Sequence, residues 1–317
     1  MEKVPIAFAF DNNLVFPACI CLSSLLMNAK EGTFYDIFIL HSSKVELSKE
    51  QLNELPRHFN HCRIQYRAVD NTFEQSFEIR GITAATYYRL LIPELIPEYD
   101  KVIYADVDII FRMDLSELYK TDIGDNYIAA TRELGMNLTK DGQKYIDSMP
   151  ELNIGEYIQA GFILMNNKAI LKDRIHLQFK KWSDKKLKFQ DQDILNVVCK
   201  GKIYYLSLEY NMTDYTYMFA MRQRSLIENL FSDAEIKNAL KSGNIHYNGH
   251  KPWKKYSVNF DIWWEYYRKS LFFDEKFYFE FFYKRLNELD QLSLWKRIKI
   301  LIRYFVYGKR EIGRAHV

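Results

Sequence analysis

The chain of 317 residues lacks the signatures of several large protein classes. It contains no Gly-x-Gly-x-x-Gly and no Gly-Lys-Ser or Gly-Lys-Thr, which argues against dinucleotide oxidoreductases and P-loop enzymes. Its four cysteines form neither a Cys-x-x-Cys pair nor a zinc-type spacing, so we expect free, buried thiols in a reducing compartment. The formal net charge is only +3, so the chain is no general polyanion binder, and we expect no nucleic-acid partner.

A secretory leader and a long apolar run are also missing. The first residues enter a strand-like run without a basic region, an apolar stretch and a small-residue cleavage site, so we expect the chain not to be secreted. No uninterrupted apolar run in the aromatic-rich region 261–283 approaches the roughly 20 residues that span a bilayer. What the sequence does contain is 48% hydrophobic residues, enough for a large core, which excludes a disordered or fibrous protein.

Short apolar runs alternate with helical patterns along the first 255 residues, and no internal repeat or low-complexity linker interrupts them. This alternation predicts one α/β domain with a mostly parallel sheet and helices on both faces. The predicted strands are 6–10, 35–41, 63–67, 101–105, 127–131, 162–165, 203–206 and 244–247. The predicted helices are 16–27, 48–55 with Ser48 as its cap, 86–91 ending near Pro93, 167–182 and 193–200.

Asp106 and Asp108 follow directly on the strand-like run 101–105. Residues i and i+2 of an extended chain project to the same side, so both carboxylates can face one point beyond the carboxyl end of the strand, where open α/β sheets bind ligands. Two such carboxylates repel each other unless a cation lies between them. Oxygen ligands favour Mg²⁺ or Mn²⁺, and such an ion can hold a diphosphate. The alternative interpretation is a pair of solvated turn acids or helix caps.

Three further polar groups have both a structural and a functional interpretation. The run Phe-Asp-Asn-Asn (10–13) ends the first strand, where it either forms a turn or binds a base or ribose. The run Gln-Asp-Gln-Asp (190–193) precedes an apolar segment, so it either caps a helix or hydrogen-bonds sugar hydroxyls. His246 is either a structural histidine or a nitrogen ligand to the metal, with the ammonium of nearby Lys251 neutralising phosphate.

Six ordered blocks of this chain resemble glycosyltransferase family 8, whose members are retaining enzymes that include bacterial lipopolysaccharide galactosyl- and glucosyltransferases and glycogenin. The resemblance covers residues 4 to 253 and implies a GT-A type fold, a single Rossmann-like catalytic domain over 1–255. The blocks are Phe-Asp-Asn-Asn (10–13), Thr-Tyr-Tyr-Arg-Leu (86–90), Tyr-Ala-Asp-Val-Asp (104–108), Gln-Ala-Gly-Phe-Ile-Leu-Met-Asn (159–166), Gln-Asp-Gln-Asp-Ile-Leu-Asn (190–196) and His-Tyr-Asn-Gly-His-Lys-Pro-Trp (246–253).

The resemblance implies a role for each matching residue. Asp106, Asp108 and His246 would chelate Mn²⁺ (or Mg²⁺), and the metal would bridge the diphosphate of UDP-galactose or UDP-glucose. Arg89 would reach the donor sugar or the acid cluster, and Gln192 would lie near the anomeric carbon. Ala9, Asp11 and Asn13 would hold the uridine, Val107 the ribose, Gly249 and Lys251 the phosphates, and Gln159, Ala160 and Asp191 would line the donor sugar. We assign Gln192, Asp191 and Arg89 to the catalytic group on this basis.

The family is described as reacting by front-face attack, in which the departing phosphate oxygen accepts the proton of the acceptor. The residues alone do not distinguish this mechanism from one with a covalent intermediate. Three positions depart from the family pattern. Leu14 replaces an aromatic residue that often stacks on uracil, and Gln159 replaces a common asparagine, which leaves the donor sugar open. The loop Gly249-His250-Lys251 is one residue shorter than usual, so His250 is an alternative phosphate contact.

The segment 256–317 has a different character, and we predict a helical extension rich in aromatic and basic residues. At about 100° per residue, Trp295, Ile298, Leu301, Ile302, Phe305 and Val306 share one arc, flanked by Lys296, Lys299 and Arg303. This pattern predicts a basic amphipathic helix on an anionic membrane surface. The alternative is a helix that packs on the catalytic domain with its bases in solvent.

The predicted function is therefore a Mn²⁺-dependent retaining transfer of a hexose from a UDP-sugar to a hydroxyl of a glycan or glycolipid, such as lipopolysaccharide core. We expect a cytoplasmic protein on the inner face of a bacterial cell membrane. A catalytically silent sugar-nucleotide-binding or scaffold protein of the same fold is the alternative function. A metal-dependent phosphohydrolase would need more ligands for a second metal, and no such cluster is evident in the sequence.

Overall fold

The protein is described by a computed structural model covering residues 2–70, 84–286 and 292–307. The contacts divide the chain into two compact units, Met1–Asn248 and Gly249–Val317. The assignment of catalysis to 1–255 and of an extension to 256–317 stays a prediction. All four cysteines are buried and free, as predicted.

The first unit is built on a seven-stranded sheet. Its strands are β1 (Glu2–Ala9), β2 (Thr33–Ser42), β3 (Cys62–Val69), β4 (Val102–Ala105), β6 (Ile128–Arg132), β7 (Ile158–Met165) and β8 (Ile203–Tyr205), and β5 (Ile109–Ile110) forms a separate ribbon with β9 (Ile245–His246). The order is β3-β2-β1-β4-β7-β6-β8, and β7 alone in this sheet runs antiparallel to its neighbours. The predicted α/β class with a mostly parallel central sheet is confirmed.

Helices cover the sheet because their apolar residues need a partner surface. In the first unit they are α1 (Val15–Met27), α2 (Glu50–His58), α3 (Ile92–Leu95), α4 (Ser116–Lys120), α5 (Leu134–Leu138), α6 (Lys140–Asp147), α7 (Asn167–Lys172), α8 (Ile175–Ser183), α9 (Gln190–Val198), α10 (Asp214–Arg222) and α11 (Asp233–Ser242), with 3₁₀ turns at Asn12–Leu14, Ala84–Leu91, Leu208–Tyr210 and Arg224–Leu226. The core is continuous from β2 through β4 and β7 to α9.

Two local predictions were wrong, each for a physical reason. Ser48 does not cap α2, since its N–H donates to Asn12 Oδ1 and Lys49 precedes the helix without a side-chain cap. The segment 167–182 forms two helices, because Arg174 adopts a left-handed conformation with φ of 57° between them. The predicted helix 86–91 corresponds to the 3₁₀ turn that ends at Leu91, and Pro93 lies in the first turn of α3, where its missing N–H costs nothing.

The ribbon of β5 and β9 determines where the functional residues meet. Its two strands pair antiparallel, with Ile109 opposite His246 and Ile110 opposite Ile245. The N–H of Tyr247 donates to the carbonyl of Asp108 over 3.0 Å, which joins the ribbon to the end of β4. His246 therefore lies beside the acidic pair although it is distant in sequence.

The second unit contains α12 (Phe260–Lys269), α13 (Glu275–Leu286) and α14 (Leu294–Tyr307). Much of its aromatic excess has a structural explanation, because Trp264 is buried and its ring contacts the rings of Phe277, Phe281 and Phe282 at centroid distances of 4.5 to 6.1 Å. The side chains of α14 are largely exposed, among them Trp295 and Phe305, with exposed fractions of 75% and 79%. Among the described residues, no helix combines the length and the apolar character required to traverse a lipid bilayer.

Candidate active site

The residues predicted to bind metal lie together at the carboxyl end of β4. Asp106 and Asp108 follow the last residue of this strand, which pairs with β1 on one side and β7 on the other. His246 Nε2 lies 3.2 Å from Asp108 Oδ1 and 3.8 Å from Asp106 Oδ2. One ligand atom from each of the three residues falls within 4.8 Å of the others. This spacing suits a single divalent cation held by two carboxylates and one imidazole.

A glycine opposite the three ligands keeps the space between them open. A Cβ atom at Gly161 would lie 2.4 Å from His246 Cε1 and 2.5 Å from Asp106 Oδ2, both too close for any side chain. The carbonyl of Gly161 also accepts the N–H of Asp106 over 2.8 Å, so β7 fixes the backbone of the first carboxylate. The residues present therefore fit a metal ion both in their donor atoms and in the room around them.

Arg89 connects Asp106 to Asp191 of the second acidic motif. Its guanidinium contacts Asp106 Oδ1 at 2.9 Å and Asp191 Oδ2 at 3.0 Å, and it lies 4.3 Å from the centre of the Tyr104 ring. The hydroxyl of Tyr104 also donates to Asp106 Oδ1 over 2.7 Å. Arg89 is buried and supplies one positive charge to a group of three carboxylates that includes Asp108. With a neutral imidazole the local charge is near −2, which a divalent cation would balance.

Asp191 is held in place rather than capping its helix. Its Oδ1 accepts from the hydroxyl of Thr86 over 2.9 Å, and α9 begins after Phe189 without a side-chain cap. Burial raises the pKa of Asp191 to about 6, against the opposing effect of the positive charge of Arg89. The helix-cap interpretation applies instead to Asp193, whose Oδ2 accepts the N–H of Phe189 over 2.8 Å.

Gln192 is oriented at both ends of its amide. Its Oε1 accepts the N–H of Ala160 over 3.0 Å, and its Nε2 lies 3.4 Å from the hydroxyl of Tyr157. That hydroxyl in turn donates to Asp193 Oδ1 over 2.6 Å. The structure thus places Gln192 and Ala160 together, with a neutral amide oxygen that is already engaged by the backbone.

The residues predicted to bind the nucleotide lie at the ends of β1 and β4. Ala9 is the last residue of β1, and Asp11 Oδ1 accepts the N–H of Asn13 over 2.9 Å, which starts the following 3₁₀ turn. Asp11 is partly exposed and Asn13 is exposed, so both are accessible to a ligand. Val107, between Asp106 and Asp108 in the sequence, is buried. The turn interpretation of this motif is therefore correct for Asp11, and the uridine contact stays a prediction.

Two predicted phosphate contacts lie in the second unit, and two further residues lie near the site. Gly249 and Lys251 belong to the second unit, so their contact with phosphates stays a prediction. Sequence reasoning gave no role to Asn211, whose Oδ1 lies 2.9 Å from His246 Nδ1. Its pattern Asn-Met-Thr offered only a chance glycosylation match. Glu133 is buried at the start of α5, and burial raises its pKa to about 7.

The order of the strands, with the acidic pair directly after β4, is that of the predicted GT-A type fold. The solved structure of galactosyltransferase LgtC in complex with donor and acceptor sugar analogs superposes with a TM-score of 0.67, covering 87% of this chain and 98% of that one. Sequence identity to it is 24%, so this likeness establishes the fold alone.

The family pattern described as "Glycosyl transferase family 8" matches residues 5–257. The chain belongs to glycosyltransferase family 8. It is 28% identical over 212 residues to glycosyltransferase GlyE of Streptococcus pneumoniae, a match that covers 64% of this chain and 46% of GlyE. It is 24% identical over 277 residues to lipopolysaccharide 1,2-glucosyltransferase of Escherichia coli K12, covering 81% and 75% of the two chains. The match to a Haemophilus influenzae relative also spans less than two thirds of that protein, 64% of its length.

Proposed function

We propose that the protein is a retaining hexosyltransferase that uses a divalent cation, Mn²⁺ in preference, and a UDP-sugar donor to glycosylate a hydroxyl of a surface glycan such as lipopolysaccharide core. The observation that supports this most is the convergence of Asp106, Asp108 and His246 around the space left by Gly161, in a chain of this family. Bound there, the cation would supply positive charge to the diphosphate of the leaving group.

The remaining residues of the site would bind and orient the donor. Arg89 pairs with the carboxylates of Asp106 and Asp191, so its role would be to orient these two side chains rather than to contact the sugar. Asp191 would hold its carboxylate close to the sugar hydroxyls, where hydrogen-bond acceptors discriminate between hexoses. The uridine and ribose would be held by Ala9, Asp11, Asn13 and Val107, the sugar by Gln159, Ala160, Asp191 and Gln192, and the phosphates by Gly249 and Lys251.

Retention of configuration by front-face attack agrees with the contacts of Gln192. A neutral amide is a weak nucleophile, and its oxygen is occupied by the N–H of Ala160. The departing phosphate oxygen would then accept the proton of the acceptor hydroxyl. Because one relative is named as a glucosyltransferase and one structural neighbour as a galactosyltransferase, we propose glucose or galactose as the transferred sugar.

The helix α14 would hold the enzyme at the inner face of the cell membrane, next to a lipid-linked acceptor. Leu294, Trp295, Leu301, Ile302 and Phe305 are all more than half exposed, and the exposed bases Lys296, Arg297 and Lys299 accompany them. An exposed apolar stripe beside bases is typical of helices that lie in anionic lipid surfaces. Binding to vesicles containing anionic lipid, lost in Trp295→Glu and weakened by salt, tests this.

The function is tested by incubating the protein with Mn²⁺ and a panel of UDP-sugars and measuring UDP release without an acceptor. We expect slow release from one hexose donor, abolished by a chelator and by Asp108→Asn. Asp125→Asn, at an exposed aspartate that pairs with Lys202, is the matched control and should behave as the wild type. Tight UDP binding without turnover of any donor or acceptor would instead identify a silent sugar-nucleotide-binding protein.

A further inference from the structure

A chain of hydrogen bonds runs from the backbone of β7 to the imidazole of His246. The N–H of Gly161 donates to Gln159 Oε1 over 2.6 Å, and Asn211 Nδ2 donates to the same oxygen over 2.8 Å. Asn211 Oδ1 then lies 2.9 Å from His246 Nδ1. The side chains of Gln159, Asn211 and His246 are 7%, 1% and 1% exposed. We call these three residues the amide relay.

The direction of the amide relay follows from its first member. A backbone N–H can only donate, so the atom of Gln159 that faces Gly161 is its carbonyl oxygen. The same oxygen faces Asn211, so Asn211 must present its NH₂ group there and its own oxygen to the imidazole. An amide oxygen can only accept, and therefore Nδ1 of His246 carries a proton. No choice of amide orientation is left open once the Gly161 bond is given.

For the neutral ring, this assignment decides what the other ring nitrogen offers. In the neutral imidazole with a proton on Nδ1, Nε2 has a lone pair, and Nε2 is the atom that faces Asp108 at 3.2 Å and Asp106 at 3.8 Å. A lone pair facing two carboxylates is unfavourable unless a cation lies among them. Metal-bound histidines commonly donate their second N–H to an oxygen, which fixes the tautomer and the ring plane. In the neutral ring, the amide relay therefore leaves on Nε2 the lone pair that a cation requires.

We propose that Gln159 and Asn211 are positioning residues that set the tautomer of His246, so that Nε2 is presented to the divalent cation; this rests on the proposed function. The local structure brings Asn211 into place, since Met212 forms a bridge to Ile245 of β9 and its carbonyl accepts the N–H of His246 over 3.0 Å. An asparagine at position 159 would end about 1.5 Å short of Asn211, so the additional methylene of glutamine is what closes the relay.

The tautomer is read by ¹⁵N NMR of histidine side chains in metal-free protein at alkaline pH, with the His246 signal identified by its loss in His246→Gln. We expect the proton on Nδ1 in the wild type. Gln159→Glu should keep this tautomer, because its carboxylate still accepts from Gly161 and Asn211. Gln159→Met removes the acceptor and frees the amide of Asn211 to turn, so the tautomer with the proton on Nε2 should appear.

Metal affinity is measured separately by calorimetric titration with Mn²⁺ alone. Loss of such an outer partner typically weakens metal binding about 10- to 100-fold, so we expect at least a 10-fold increase in the dissociation constant for Gln159→Met and for Asn211→Leu. The matched control is Asn167→Leu. Asn167 is an equally buried amide that donates to the carbonyls of Ile96 and Tyr99, so its loss should lower stability and leave Mn²⁺ affinity unchanged.

The outcomes separate this inference from the proposed function. A proton on Nε2 in the wild type, or an unchanged Mn²⁺ affinity in a folded Gln159→Met, would overturn the inference even if the enzyme transfers sugar. A wild type that binds no Mn²⁺ but has the expected tautomer, lost in Gln159→Met, would contradict the metal-dependent function while supporting the relay. If Asn167→Leu weakened Mn²⁺ binding as much as Asn211→Leu, general destabilisation would be the cause and the inference would be wrong.

Discussion

Glu133 supplies a sharp test of the electrostatics near the site. Its carboxyl is buried, and it accepts the N–H of Gly135 over 3.1 Å at the start of α5. Burial raises its pKa from 4.5 to about 7, and the hydrogen bond from the N–H of Gly135 only partly opposes this. The folded protein therefore keeps a proton on Glu133 over a pH range in which the unfolded chain has released it.

The sign and size of the effect follow directly. Because the folded state binds the extra proton, the contribution of Glu133 to the free energy of unfolding falls as pH rises from about 4.5 to about 7 and is level outside this window. The difference between the two pKa values corresponds to about 3 kcal/mol at about 1.4 kcal/mol per pH unit. In Glu133→Gln the amide oxygen can still accept from Gly135, but no charge develops. At pH 8 this variant should be more stable than the wild type by up to about 3 kcal/mol, and below pH 4.5 the two should agree.

Urea unfolding between pH 4 and pH 8, with a chelator present, measures this difference. Glu31→Gln changes an exposed carboxylate and should run parallel to the wild type over the whole range. A stability difference between Glu133→Gln and the wild type that does not change with pH would refute the reasoning, since it would mean that the carboxyl of Glu133 is not held in its protonated form by burial.

Two further predictions concern the site itself. Gly161→Ala places a Cβ against His246 Cε1, so the dissociation constant for Mn²⁺ should rise about 100-fold in calorimetric titration. Tyr157→Phe and Tyr145→Phe each remove a hydroxyl that donates to Asp193 over 2.6 Å, so each should lower the free energy of unfolding by about 2 kcal/mol in urea titrations. Of these two tyrosines only Tyr157 also contacts the amide of Gln192, which we propose to be catalytic, so UDP release should slow in that variant alone.

The controls for these variants come from the same chain. Gly32 has a positive φ of 87° and no atom within 4 Å of a Cβ, so Gly32→Ala should lose stability and retain Mn²⁺ affinity. Normal Mn²⁺ affinity in Gly161→Ala would show that the cation does not lie beside that glycine. Equal loss of UDP release in the two tyrosine variants would assign the effect to Asp193 rather than to the orientation of the amide.

Patterns within the sequence were sufficient for the sheet and for the acidic pair. The run ending at Ala105 is apolar and β-branched, so it forms a central strand, and the polar residues that follow must leave the sheet at its edge. Resemblance then connected this pair to His246, and the structure brings the three residues together. Their role as metal ligands stays a prediction until an ion is measured.

What could not be predicted depends on contacts between distant segments. Asn211 gains its position only from the bridge between Met212 and Ile245, which no periodicity in its own segment encodes. The engagement of Asn12 with the loop before α2 likewise displaced the expected serine cap. The left-handed backbone of Arg174, which divides one expected helix, has no glycine or proline signal. Local propensity does not predict the conformation where hydrogen bonds to distant segments determine it.

The two-residue strand that carries His246 is held to the rest of the fold by few backbone bonds, among them those to Met212 and Asp108. An ion bound to His246 and the acidic pair would cross-link β9 to the end of β4 in the central sheet. A ligand at 100 times its dissociation constant stabilises the state that binds it by about 2.7 kcal/mol relative to the open state. The bound ion would therefore slow amide hydrogen exchange at His246 and Tyr247 more than elsewhere. Binding of the cation would then also attach β9 to the central sheet.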